Sequence, residues 1–311
     1  YPMAGHLQQK GFALSVYNRS VAKAQQWSAQ FGLAASPSVA KAVASAEVVA
    51  VCLGADEDVR QVLAGDGGVF SAMPAGGIVI DHSTTSAGLA REMAALASAR
   101  NISFIDAPVS GGEAGAINGR LTVMAGGDID VFTRIEPILA AYAARYQCLG
   151  PVGSGQMAKM VNQICIAGLV QGLAEGLHFG TEAGLDMEAV LDVIGGGAAQ
   201  SWQMDNRAKT MLTGSFDFGF AVDWMRKDLG YSGRSPSAQN KLASNGFGRS
   251  VFRSGSKFGW RSFRHLQFII SITARRRETS LRVKNRMSAT QSFNTDLLRF
   301  LDASPTPFHA V

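Results

Sequence analysis

Short apolar runs alternate with amphipathic segments along the first half of the chain. Such runs are typical of strands buried in a parallel sheet, and their apolar side chains would cover both faces. The predicted strands lie at 12–17, 48–53, 78–81, 103–106, 121–127 and 146–149. The segments between them have helical spacing, beginning with 3–10. Because alternation of strands and helices is typical of one doubly wound sheet, we predict an α/β, Rossmann-like domain over residues 1–150.

A long apolar run follows at 155–185 and predicts a single helix. It contains no proline, and its apolar positions recur at helical spacing. No stretch reaches about eighteen uninterrupted apolar residues, so we expect no transmembrane helix. Residues 151–230 are therefore predicted to form an all-helical second domain.

Lys159 and Asn162 share one face of this predicted helix, since they are three residues apart. An ammonium group is costly to bury without a partner. Two interpretations remain open from the residues alone. Lys159 either extends from a helix edge to solvent, or it lies in a cleft as a general acid/base with Asn162 orienting the same substrate.

Charge divides the chain near residue 230. Residues 1–230 carry a net charge of −6, whereas residues 231–311 carry +11. Residues 231–286 hold thirteen Lys and Arg against a single acidic residue, with little periodicity. We predict a basic segment of low order there, with a possible short strand at 268–272. We interpret it as a frame-shifted or intergenic reading. The competing interpretation, which we favour less, is a basic arm that binds nucleic acid or an acidic membrane.

Three cysteines are scattered through apolar sequence, at Cys52, Cys148 and Cys165. This usage predicts buried, unpaired thiols in a reduced, cytoplasmic protein. The first residues lack the basic start and apolar core of a signal peptide. No His/Cys cluster has the spacing of metal ligands, so we expect no metal site.

Two motifs resemble those of the β-hydroxyacid dehydrogenases, the family of 3-hydroxyisobutyrate dehydrogenase and tartronate semialdehyde reductase. The first is Gly153-Ser-Gly-Gln-Met-Ala-Lys159-Met-Val-Asn162. The second is Asp106-Ala-Pro-Val-Ser-Gly-Gly112, followed by Gly115-Ala116. The resemblance covers residues 1–230 and implies an NAD(P)-dependent oxidoreductase acting on a small β-hydroxy acid or semialdehyde. It also implies a homo-oligomer, because the helix at 155–185 would pack in family dimers.

The family pattern also differs from this chain at the start. A dinucleotide fold begins with a strand and a glycine-rich turn that holds the pyrophosphate. In the family, that motif lies just before the position of Tyr1. We therefore expect a sheet that lacks its first strand and phosphate loop. The alternative function is a catalytically impaired fragment, or a gene-fusion product, that only oligomerises.

By resemblance, Lys159 and Asn162 are the catalytic residues, and Ser110, Gly111 and Gly112 bind the substrate carboxylate. Two adjacent glycines let backbone amides converge on an anion, although a plain glycine-rich turn has the same composition. Lys159 would take the proton of the β-hydroxyl group and would need a lowered pKa to do so.

The resemblance places four further residues near the cofactor. Asn18 and Arg19 follow a predicted strand, where an arginine fork suits the 2′-phosphate of NADP; an ordinary exposed arginine is the alternative. Thr84 would lie near the nicotinamide, although this stretch could equally cap a helix. Lys227, followed by Asp228, would close the site, unless the two lie on a solvated helix face. The cofactor prediction is NADP or NAD, with a preference for NADP.

The last residues have a different character. Residues 294–311 resemble the N-terminal segment of the aspartyl aminopeptidases. The similarity spans too little sequence to imply a zinc site or peptidase activity, and we treat residues 287–311 as a separate fragment.

Overall fold

The computed structural model describes residues 1–216, 220–232 and 268–273. All of these belong to one compact unit, Tyr1–Arg275. The aminopeptidase-like segment and most of the basic segment lie outside the described residues.

The described residues form two β-sheets and a set of helices. The strands are β1 (Ala13–Tyr17), β2 (Val48–Cys52), β3 (Ile78–Asp81), β4 (Ser103–Asp106), β5 (Val109–Ser110), β6 (Leu121–Ala125), β7 (Ala143–Cys148) and β8 (Phe268–Thr273). The helices are α1 (Pro2–Gln9), α2 (Val21–Phe31), α3 (Val39–Val43), α4 (Asp56–Ala64), α5 (Val69–Ala72), α6 (Ala87–Ser98), α7 (Gly112–Ile117), α8 (Ile129–Leu139), α9 (Ser154–Glu182), α10 (Met187–Ile194), α11 (Trp202–Leu212) and α12 (Val222–Ser232).

The first sheet has the strand order β1-β8-β2-β3-β4. Strands β2, β3 and β4 are parallel, with Val48 opposite Ile78 and Ile78 opposite Ser103. Helices cover both faces: α1, α2 and α8 contribute to one apolar core, and α3 to α6 contribute to the other. The predicted α/β, Rossmann-like architecture is confirmed.

Strand β8 occupies the interior of this sheet. It pairs antiparallel with β1 on one side, with Thr273 opposite Ala13, and with β2 on the other, with Ile272 opposite Val48. Residues 269 to 272 are each at most 2% exposed, and their side chains contribute to both cores. The prediction of low order across 231–286 is therefore wrong for Phe268–Thr273. The short strand considered at 268–272 forms, and it fills a sheet that we expected to lack a strand.

The second sheet corrects another expectation. The runs at 121–127 and 146–149 were predicted to complete one sheet, but β6 and β7 form a separate sheet with β5. Within the described ranges, an isolated bridge between Asp106 and Gly126 connects the two sheets. The physical reason is Pro108, which lacks a backbone N–H and diverts the chain immediately after β4.

Helices make up most of the described chain between residues 150 and 232. The helix predicted at 155–185 is confirmed as α9, which runs from Ser154 to Glu182 and ends before Gly184 in the left-handed region. It packs against α11 and α12, and at its beginning against α6 and β6. Its first turns therefore lie where the sheets and the helical region meet.

Candidate active site

The Asp106 carboxylate fixes the beginning of α9. It accepts hydrogen bonds from the Gly153 amide at 2.7 Å and from the Gln156 amide at 2.8 Å. An acceptor at this position satisfies amides that the helix itself leaves unpaired. Burial raises the pKa of Asp106 to about 6, although the two amides favour the ionised form.

Gln156 ties the first turn of α9 to the loop after β3. Its side chain is fully buried. Its Oε1 accepts from the Thr85 amide at 3.0 Å, and its Nε2 donates to the Ser83 carbonyl at 2.8 Å. Both polar ends of the amide are therefore paired, as a buried amide requires.

The Lys159 ammonium lies inside the protein. The residue is 7% exposed, and Nζ donates to the Val109 carbonyl at 2.8 Å. Val109 immediately precedes Ser110, so this hydrogen bond places the Lys159 ammonium next to the predicted carboxylate-binding turn. Its burial excludes the interpretation of a lysine that extends to solvent. Burial lowers its pKa to about 8, with Asp228 raising it and Lys227 lowering it further. In a fraction of the molecules, Lys159 is therefore a neutral amine near neutral pH.

The predicted carboxylate-binding residues lie beside it. The Ser110 hydroxyl is 3.4 Å from Asn162 Oδ1, to which it donates. Gly111 and Gly112 follow with φ angles of +121° and +62°. These angles are in a region that residues with side chains rarely adopt, so both glycines are needed for this turn. The structure thus brings together Lys159, Asn162 and the turn after Ser110.

Helix α12 approaches the same place. Lys227 Nζ donates to the Thr84 carbonyl and pairs with Asp228 Oδ1 at 3.0 Å. Asp228 is 1% exposed, so the alternative of a solvated helix face does not describe it. Gln156 on α9 binds the same loop that carries Thr84. The motif residues on α9, on α12 and in the loop after β3 therefore lie close together.

Asn18 and Arg19 lie at the end of β1. Asn18 is 5% exposed, and its Oδ1 accepts from the Ser20 amide at 2.8 Å. Arg19 is exposed, so its guanidinium can reach a ligand. Ligands bind outside the carboxyl ends of parallel strands, so Asn18 and Arg19 fit the ribose of a dinucleotide at this edge. The first turn of α1 has no side-chain cap, but the described residues include no glycine-rich turn at its start that would hold the pyrophosphate.

His82 has a structural role. Its ring nitrogens contact the Ala107 carbonyl at 2.6 Å and the Tyr142 hydroxyl at 2.8 Å. Burial lowers its pKa to about 4, so it stays neutral at physiological pH. Neighbouring Asp81 is also buried, and burial raises its pKa to about 7.

Sequence reasoning missed Gln163 and the capping role of Asp106. Gln163 looked like part of the apolar run, and Asp106 like the end of a strand. An Asp that precedes a Gly-x-Gly turn by 47 residues gives no local signal. The cysteine prediction was also partly wrong, since Cys52 and Cys148 are half-buried and Cys165 is exposed.

Two family models match the chain. The NAD binding domain of 6-phosphogluconate dehydrogenase matches residues 1–150. The NAD-binding domain of NADP-dependent 3-hydroxyisobutyrate dehydrogenase matches residues 153–244. Together these models cover strands β1 to β7 and the helical region, whereas β8 lies beyond both matched ranges.

Known proteins agree with these matches. An uncharacterized oxidoreductase of Shewanella frigidimarina (strain NCIMB 400) is 56% identical over 230 residues, covering 74% of this chain and 79% of that protein. A probable 3-hydroxyisobutyrate dehydrogenase-like 1 of Arabidopsis thaliana, described as mitochondrial, is 39% identical over 229 residues, covering 73% and 68%. The solved structure of Mycobacterium tuberculosis 3-hydroxyisobutyrate dehydrogenase with L-serine has a TM-score of 0.73 at 30% identity, covering 83% and 89%. The chain therefore belongs to the 3-hydroxyisobutyrate dehydrogenase-like family of β-hydroxyacid dehydrogenases.

Proposed function

We propose that this NAD(P)-dependent hydroxyacid dehydrogenase interconverts a small β-hydroxy acid and the corresponding semialdehyde, with Lys159 as the general acid/base. One observation carries the proposal. The buried Lys159 ammonium donates to the Val109 carbonyl, adjacent to the Ser110–Gly112 turn. A substrate whose carboxylate is bound by this turn would present the oxygen on its β-carbon to the Lys159 nitrogen. The alternative of a fragment that only oligomerises has no such support.

The residues divide the chemistry between them. The amides of Gly111 and Gly112 bind the substrate carboxylate, and the Ser110 hydroxyl, which donates to Asn162 Oδ1 in this structure, rotates to donate to the carboxylate when substrate enters. Lys159 accepts the hydroxyl proton in the direction of oxidation and returns it in reduction. Asn162 orients Ser110 through their mutual contact. When bound, NAD(P) supplies the hydride acceptor or donor.

The lowered pKa of Lys159, about 8, suits this task. A base must be unprotonated to accept the hydroxyl proton, and an acid must be protonated to return it. Oxidation should therefore become faster as pH rises through about 8, whereas reduction should become slower.

The spacing between the carboxylate turn and the lysine favours a β-hydroxyl group. The carbonyl that accepts from Lys159 belongs to the residue immediately before Ser110. A three- or four-carbon acid fits this short interval. The relative solved with L-serine holds a molecule of this kind, since serine carries a hydroxyl group β to its carboxylate.

The test is a hydride-transfer assay with both cofactors and a panel of short β-hydroxy acids. Lys159→Ala should lower kcat by roughly 10²–10⁴-fold, because a positioned acid/base contributes about that much. Lys41→Ala, at an exposed lysine on α3, is the matched control and should retain activity. Turnover by Lys159→Ala at the control rate would contradict the proposal.

For the cofactor, we favour NADP. Arg19 is exposed at the end of β1, where a guanidinium fork can pair with a 2′-phosphate. Arg19→Ala should then raise KM for NADPH by about tenfold or more and change KM for NADH little, since one charged pair is worth about 1.5–3 kcal/mol. Equal changes for both cofactors would exclude this role.

We also propose a homo-oligomer. By length and hydropathy α9 could cross a membrane, yet its first turns carry the buried amides and lysine of the site. Its exposed apolar side chains, among them Val161 at 63% and Phe179 at 72%, suit contact with a second copy. Light scattering should give a mass above the monomer, and Phe179→Glu should lower it, whereas Val21→Glu on α2 should not. A monomeric wild-type protein at all concentrations would refute the idea.

A further inference from the structure

A polar stripe follows one side of α9. Gln156, Lys159 and Gln163 are spaced by three and four residues, so they lie along one face of the helix. All three are buried, with Gln163 1% exposed. A buried amide needs partners for both its donor and its acceptor, and its contacts therefore report what it holds in place.

Gln163 connects two groups of the site. Its Nε2 donates to Asp228 Oδ2 at 2.7 Å, and its Oε1 accepts from Asn162 Nδ2 at 2.8 Å. The other carboxylate oxygen of Asp228 pairs with Lys227 at 3.0 Å. Asp228 is thus held between an amide on α9 and an ammonium on α12.

The position of the Asp228 carboxylate affects the pKa of Lys159. Asp228 attracts the Lys159 ammonium and favours its charged form, while Lys227 repels it. Outside α12, the elements packed against α9 carry two described charged residues that are buried or half-buried, Asp106 on β4 and Arg207 on α11. Neither of them shifts Lys159. The opposing effects of Asp228 and Lys227 on the pKa of Lys159 therefore depend on whether the Asp228 carboxylate lies nearer to Lys159 or to Lys227.

We propose that Gln163 is a positioning residue, which holds the Asp228 carboxylate where it acts on Lys159 rather than on Lys227 alone. The inference rests on the proposed function in that it assigns proton transfer to Lys159. A glutamine suits this role because its amide is neutral. It can restrain a carboxylate on one side and orient Asn162 on the other without adding a charge to the site.

The variant that tests this is Gln163→Met, which keeps the volume and removes both hydrogen bonds. The readout is the titration of Lys159 by NMR of protein labelled at lysine Cε and Nζ, with the signal assigned from Lys159→Met. Once released, Asp228 moves toward Lys227, so the titration midpoint of Lys159 should fall by about 0.5–1 pH unit. Gln163→Asn, whose amide is one methylene shorter, should give the same direction and serves if Gln163→Met fails to fold.

The chain offers a matched control. Gln171→Met removes an amide from the same helix, about two turns further on, which contacts Glu175 and neither Asp228 nor the loop that carries Thr84. It should leave the Lys159 midpoint unchanged. Equal effects of the two variants would mean that any amide lost from α9 shifts Lys159, which would overturn the proposal.

A double-mutant cycle identifies the route of the effect. Asp228→Asn should lower the Lys159 midpoint, and adding Gln163→Met should lower it no further, because the two changes act through one carboxylate. An additional shift of full size would refute the proposal.

The titration needs no turnover, so the positioning role of Gln163 and the proposed function of the protein can fail separately. An unchanged midpoint in Gln163→Met overturns only the positioning role, whereas an active Lys159→Ala overturns only the proposed function.

Discussion

The beginning of α9 and the interior position of β8 are both long-range contacts, but they are specified differently. At α9, polar groups meet one to one: Asp106 binds two particular amides, and Gln156 binds two particular backbone groups. At β8, apolar side chains fill a space between two strands, and backbone hydrogen bonds supply the rest. A polar arrangement needs given residues at given positions, whereas an interior strand needs an extended apolar segment that is accessible.

The strongest way to break this comparison is a charge in β8. Ile270 is 2% exposed and pairs across to both Val16 and Ala50. Ile270→Asp buries a carboxylate without a partner and should lower the free energy of unfolding by about 4 kcal/mol. Urea unfolding followed by circular dichroism measures this loss.

The control for that experiment is Val21→Asp on α2, where the side chain is 67% exposed. It should change stability by less than about 0.5 kcal/mol. If Ile270→Asp also cost less than about 1 kcal/mol, β8 would not lie inside the sheet.

Two alanine substitutions on α9 sharpen the comparison at the other region. A Cβ at Gly155 would lie 2.4 Å from the Met124 carbonyl oxygen and 2.7 Å from that of Asp106, whereas Gly176 has open space around it. Gly155→Ala should cost about 2 kcal/mol and reduce turnover, because the first turn of α9 must move. Gly176→Ala should stabilise the helix by about 0.5–1 kcal/mol. Thermal unfolding of both variants checks the signs, and a loss in both would mean that α9 is crowded along its whole length.

The smallest expected effect depends on pH and concerns Asp81. Its Oδ2 is buried with no hydrogen-bond partner in the part of the chain that the structure describes. Its pKa is about 7 in the folded protein and 3.8 as the ordinary value, so the folded state binds the proton more tightly. Stability is therefore lost as pH rises from about 4 through about 7.

Asp81→Asn removes this titration. Relative to the wild-type protein, the variant should gain about 1–1.5 kcal/mol between pH 6 and pH 8. Denaturant unfolding at both pH values measures the gain. A difference that stays constant with pH would show that Asp81 is ionised throughout.

Much of the site could be predicted because its residues lie in two compact motifs. The spacing of Lys159 and Asn162 places them on one helix face, and the two glycines after Ser110 predict a turn. The hydrogen bonds of Gln163 could not be predicted, since they depend on how α12 docks against α9. A glutamine within an apolar run carries no sign of its partner.

The fold divides in the same way. Strands β1 to β4 were predicted because apolar runs bounded by turns are a local signal. The position of β8 was not, because nothing in a short, mostly apolar segment after a basic stretch indicates which strands it joins. The separate second sheet was missed for a similar reason: periodicity identifies a strand but not its neighbour.

The location of β8 constrains how the protein is made. Ala13 pairs with Thr273, so these two strands are 260 residues apart along the chain. While the ribosome is still adding residues, β1 and the adjoining edge of β2 have no partner, and unpaired edges invite association with other nascent chains. Such distant pairing also slows folding. Residues up to Thr273 must therefore be synthesised before the sheet can close, and we expect the nascent chain to depend on chaperones until then.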